Sequence, residues 1–82
     1  MNIADIEPGK FYDCEFETST LLDTFGRPLN LSDAPLKGVG IYKGAGRITG
    51  RDLTTRMVEV FDSEINRAIT MSFADVLSVR QA

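Results

Sequence analysis

Eighty-two residues make at most one domain, 1–82, and a chain this short buries only about 60–65% of the surface it exposes when unfolded, so self-association is an expected source of stability. The single cysteine, Cys14, and the absence of histidine exclude an internal disulfide and a His/Cys zinc site, and no cofactor is expected. A net charge of −3 gives no general attraction to nucleic acid or to an anionic membrane, and no apolar run reaches the roughly 18 to 20 residues of a membrane span.

The start "MNIADIEPGK" lacks the basic residues and apolar core of a secretory signal, so the expected setting is cytoplasmic and away from membranes. Within it, "NIADIE" is compatible with one helical turn, stopped by Pro8 and Gly9. "KFYDCEFET" then alternates, with Tyr12, Cys14 and Phe16 on one side and Asp13, Glu15 and Glu17 on the other, which predicts a half-buried strand. Residues 18–36 break that pattern with Gly26, Pro28 and Pro35 and form a long loop or insert, with a short hairpin around "FGRP". Loops of this length are often contact surfaces. From residue 37 onward the chain reads as strands: "GVGIYK", "GAGRITGRD", "RMVEVFD" up to the turn "DSEINR", "AITMSF", a corner at "AD", and "VLSVR". The fold class expected is mostly β, a small, strongly bent barrel of about five strands, with a short helical turn at its start.

Five of the seven glycines fall in "GVGIYKGAGRITGRD", yet no phosphate loop is encoded there. Neither Lys37 nor Lys43 follows a glycine as a Walker loop requires, and "GAGRITG" is one residue too long for a dinucleotide fingerprint and runs on into strand-like sequence. Alternation instead places Gly44, Gly46 and Gly50 on one side around Ile48, which suits a bent strand approached closely by another backbone. The other side carries Lys43, Arg47 and Arg51, either an electrostatic stripe or an ordinary wet face. Without histidine the commonest general base is missing, and Asp52, Asp62 and Asp75 sit at strand ends, where acids cap turns, so the chain is not expected to be an enzyme. Charge is unevenly spread: residues 1–35 carry seven acids and two bases, a balance of −5, whereas residues 36–82 carry seven bases and five acids, a balance of +2.

Gly46, Ile48 and Asp52, followed by Thr55 and Arg56 in the Met-Asn places, resemble the first motif of the Sm and Sm-like family. "MSFADVLSV" is similar to the second, with Met71, Asp75, Val76 and Val79 in step and Ser72 and Phe73 replacing Arg-Gly. The resemblance covers residues 39–80. It implies an Sm-like, SH3-like barrel whose fourth and fifth strands pair edge to edge between copies in a homo-oligomeric ring of about five to seven subunits. It also implies single-stranded RNA as a partner. The family's clamp places hold Thr54, Ser72 and Arg56; Thr54 cannot stack and Ser72 cannot bridge, so the pocket is atypical and forfeits roughly 1–3 kcal/mol per unstacked base. Candidate RNA contacts are Arg47, Asp52, Thr54, Arg56, Ser72 and Phe73, with Arg56 and Phe73 as the surfaces able to stack. Three of them have a structural reading too: Phe73 as core, Arg56 as a solvated turn residue, Asp52 as the cap of its own turn. The alternative is a Tudor-like or SH3-like module that contacts protein through the 18–36 loop, a reading the net acidity favours.

Overall fold

A computed structural model describes residues 1–29 and 41–82. Five strands, β1 (Tyr12–Thr18), β2 (Tyr42–Asp52), β3 (Met57–Asp62), β4 (Arg67–Ser72) and β5 (Val76–Gln81), form one antiparallel sheet in the order β4-β3-β2-β1-β5. Single 3₁₀ turns lie at Ile3–Asp5, the helical turn expected there, and at Phe73–Asp75, the corner expected between the last two strands. No pairing joins β4 to β5 among the described residues. The "GVG" part of the glycine stretch and residues 30–36 of the insert lie outside the described residues.

The alternation read in β1 is realised: Tyr12, Cys14, Phe16 and Thr18 are buried on the inner face. They pack with Val58 and Val60 of β3, Ile69 and Met71 of β4, Val79 of β5, and Ile3 and Phe73 from the two 3₁₀ turns. The glycine face of β2 is the seam of this core. A Cβ on Gly46 would stand 2.1 Å from the Phe61 carbonyl oxygen, and one on Gly44 would stand 2.7 Å from the Phe16 ring. These two glycines therefore let backbone and aromatic ring approach β2 directly.

From Tyr42 on, the glycine stretch, where the sequence predicts two successive strands, forms one strand of 11 residues, interrupted by a register shift between Ile48 and Gly50. The bulge turns the following side chains over, because one extra residue reverses the two-residue alternation. Arg51 consequently does not share a face with Lys43 and Arg47, as alternation predicted. Its Nη1 instead donates to the Ile3 and Ala4 carbonyls at 3.0 and 2.5 Å, fastening the first 3₁₀ turn to the sheet.

Within the 18–36 insert, residues 21–29 form the hairpin expected around "FGRP". Leu22 pairs with both Pro28 and Thr70, and the Thr70 N–H donates to the Leu22 carbonyl at 2.9 Å. The hairpin thus extends the sheet beyond β4 at that point.

Cys14 is a core residue, 4% exposed. Burial, aided by the neighbouring Asp13 charge, pushes its thiol up to about 11. The proton is held more tightly folded than unfolded, so this stabilisation is complete below the unfolded value near 8.5 and is lost as pH climbs toward 11. The native thiol should react with an aromatic disulfide reagent at pH 8 at least about a hundredfold more slowly than in denaturant, since only the thiolate attacks. Equal rates would show that Cys14 is not held in the core.

Candidate functional site

The β2–β3 turn and the β4–β5 corner lie side by side. Asp52 closes β2 and accepts hydrogen bonds at Oδ1 from the Thr54 and Thr55 N–H groups at 2.8 and 3.3 Å, so its carboxylate holds the turn. The turn ends at Arg56, in the left-handed region with φ 57°. The β3–β4 turn is built alike: Asp62 Oδ1 accepts from the Glu64 N–H at 2.9 Å, and Asn66 closes it with φ 54°. Asparagine tolerates that conformation better than most residues, whereas for arginine it carries a cost of roughly 1–2 kcal/mol.

From this position the Arg56 guanidinium lies 5.4 Å from the centre of the Phe73 ring, and the Phe73 N–H donates to the Arg56 carbonyl at 2.9 Å. Ser72 Oγ accepts from the Ala74 N–H at 3.3 Å, capping the 3₁₀ turn that carries Phe73. Arg56, Ser72 and Phe73 share a groove of about 540 Å³ with Met1, Asn2, Ile3 and the β5 residues Leu77 to Val79. Phe73 is 7% exposed, so the core reading holds for most of its ring.

Three of the six candidate residues are therefore brought together. Asp52 and Thr54 stand in the adjoining turn and line no part of the groove. Arg47 is elsewhere, on the outer face of the sheet. Its Nε lies 2.8 Å from Asp13 Oδ1, and its guanidinium sits 5.4 Å from the centre of the Phe11 ring. The amino-terminal segment and Leu77 were not anticipated as groove residues. Leu77, 61% exposed, reads as a plain strand residue, and the segment from Met1 to Ile3 is anchored beside the groove by the buried Ile3 side chain and by the bond from Arg51 to the Ile3 carbonyl.

Chemically, the groove offers a cation lying on an aromatic ring, a hydroxyl and an apolar wall. That combination suits a flat or anionic ligand, and among the described residues no carboxylate lines it. No protein-family model, curated protein or solved structure matches the chain.

Proposed function

We propose that the chain is a non-catalytic module of the Sm-like, SH3-like small-barrel type that binds single-stranded RNA at the Arg56–Phe73 groove and works as a self-associated assembly, with a homo-oligomeric ring as the arrangement the family resemblance implies. Support for the barrel comes from the strand order, which leaves β4 and β5 as the two outer strands of a short sheet with one buried face. Closing the sheet and pairing copies both draw on those edges. Because Leu22 occupies the Thr70 N–H, a neighbour approaching β4 meets the 21–29 hairpin as well.

Arg56 carries the RNA reading. Asparagine at the matching place of the sister turn is the inexpensive choice, and an arginine held there at a conformational cost argues for what its side chain does. Over Phe73, its guanidinium extends a flat surface for a base and supplies charge for a phosphate. A non-catalytic role is supported by the lack of histidine and by the buried, high-pKa Cys14 thiol, which is a poor nucleophile. Protein contact through the insert remains the second reading, favoured by the net charge of −3 and the exposed Phe25.

Arg56→Gly separates the two roles of this residue. Relief of the left-handed strain should raise stability by about 0.5–1 kcal/mol, while retention of single-stranded homopolymers at low salt should weaken about tenfold or more, with a shallower salt dependence. Arg47→Ala should have the smaller effect on RNA, because Asp13 already neutralises that guanidinium. Failure of the wild-type protein to retain any homopolymer at low salt would move the assignment to protein contact.

A further inference from the structure

We propose that Phe25 and Arg27, at the tip of the 21–29 hairpin, form a docking knob that seats on the outer sheet face of a second copy of this chain, with the Phe25 ring against Phe61 and Ala45 and the Arg27 guanidinium on Glu15. The proposal rests on the self-association in the reading above and identifies a surface for it.

The knob is preformed. The Asp23 N–H donates to the Arg27 carbonyl at 2.7 Å, and the Gly26 N–H donates to the Asp23 carbonyl at 3.0 Å. Gly26 has φ 78°, so the β-turn from Asp23 to Gly26 ends in a left-handed residue, as in a common three-residue hairpin loop. Asp23 Oδ1 also accepts from the Phe25 and Arg27 N–H groups, both at 2.9 Å. At the base, the Leu29 N–H donates to the Leu21 carbonyl at 2.9 Å and Leu22 is joined to Thr70 of β4. On this braced turn Phe25 is 79% exposed and gains nothing from the chain's own core. Arg27 stands 5.3 Å from the Phe25 ring centre, and its side chain, 73% exposed, reaches Asp23 only at 4.0 Å. An aromatic and an arginine on a rigid turn lose little entropy on docking, and both residue types are enriched at interface anchors.

The receiving surface is a groove of about 420 Å³ on the outer face, which meets the Arg56 groove only at Ser78. Ala45 and the partly exposed Phe61 provide its apolar part, and its two arginines, Arg47 and Arg80, both stand across the strands from Asp13. The register sets Glu15 between Ala45 of β2 and Ser78 of β5. Asp13, one step along β1, is paired with Arg47, whereas Glu15 has no basic group within 4.0 Å among the described residues. An apolar floor beside a carboxylate whose cross-strand neighbours, Ala45 and Ser78, are neutral complements a phenyl ring beside a weakly paired guanidinium. Knob and groove are different surfaces: exchanged between two copies they make a closed isologous dimer, and passed on in one direction they make a heterologous contact that continues around a ring.

The test is a charge exchange read by sedimentation velocity on the full chain at micromolar concentration. The wild-type protein should run as a multiple of 9.0 kDa. Arg27→Glu, Glu15→Arg and Phe25→Ala should each raise the dissociation constant of the assembly by about tenfold or more, and the Arg27→Glu/Glu15→Arg double variant should return to within about threefold of wild type. Circular dichroism melts of each variant check that the hairpin and sheet are intact. An assembly indifferent to the single changes, or not restored by the double, overturns this surface while leaving self-association standing. A wild-type monomer overturns both, and homopolymer retention by Arg56 is read independently. Loss of RNA retention in Arg27→Glu with unchanged mass would make the knob a nucleic-acid contact instead, and would also overturn the proposal.

Discussion

Gly46→Ala is expected to cost at least about 3 kcal/mol, enough to lower the thermal midpoint of a domain this size by roughly 15 °C or to prevent folding. The new methyl would lie 2.1 Å from the Phe61 carbonyl oxygen, 2.8 Å from its carbon and 2.9 Å from a Val60 methyl. Two of those three atoms are backbone on the strand paired with β2, so relief requires moving β3 away and loosening the ladder. Total stability for a chain of this length is of the order of 4–12 kcal/mol, of which this is a large share. Gly50→Ala makes the contrast. The nearest atom there is a Glu59 carboxylate oxygen at 3.9 Å, an ordinary contact, so alanine should leave stability within about 0.5 kcal/mol. Urea unfolding of the two variants, followed by circular dichroism, decides the matter. Equal midpoints would mean that β2 and β3 do not approach as described.

Asp62→Ala should be the costliest change of a polar side chain, about 2–3 kcal/mol, because one carboxylate serves two elements. Asp62 is 1% exposed; its Oδ2 accepts from the Tyr42 hydroxyl at 2.5 Å, and its Oδ1 accepts from the Glu64 N–H. It also covers Gly44, where a Cβ would lie 2.9 Å from Oδ2. Removing it leaves the Tyr42 hydroxyl without its acceptor and uncaps the β3–β4 turn. Tyr42→Phe removes one of these bonds and should cost about 1 kcal/mol, and the double variant should show a coupling of at least about 0.5 kcal/mol. Additive effects would show that the bond contributes nothing. Burial, followed by the hydrogen bond to the Asp62 carboxylate and then its charge, raises the Tyr42 pKa well above its usual value. The folded state therefore holds the phenolic proton more tightly, and the stabilisation is complete below the unfolded value near 10 and is lost at higher pH. Tyr42→Phe should flatten the alkaline end of the stability profile.

The mostly-β architecture is legible in single segments because burial on one face of a strand imposes a two-residue alternation that adjacent residues record. "YDCEFET" carries it plainly, and the acids Asp52 and Asp62 mark the turns they cap. Glycines 44 and 46 are legible as sites of close approach for the same reason: alternation puts both on the core face. The candidate site was legible only in part. Arg56, Ser72 and Phe73 meet because they flank a strand pair and a tight corner, both local features.

What tertiary structure alone decided lies where one residue of offset or a distant partner controls the outcome. The bulge between Ile48 and Gly50 transfers Arg51 from the stripe with Arg47 to the carbonyls of Ile3 and Ala4. Pairing with Asp13 and Phe11 removes Arg47 from the site. The bond from Thr70 to Leu22 places the 21–29 hairpin on the β4 edge, and the left-handed Arg56 turns its guanidinium onto Phe73. Composition and alternation by themselves determined that this is a small β domain lacking the usual general base. Which of its arginines face a ligand, a carboxylate or a backbone was set by pairing across the sheet, since a strand's sequence records which side of it is buried and leaves its neighbours and its bulges unrecorded.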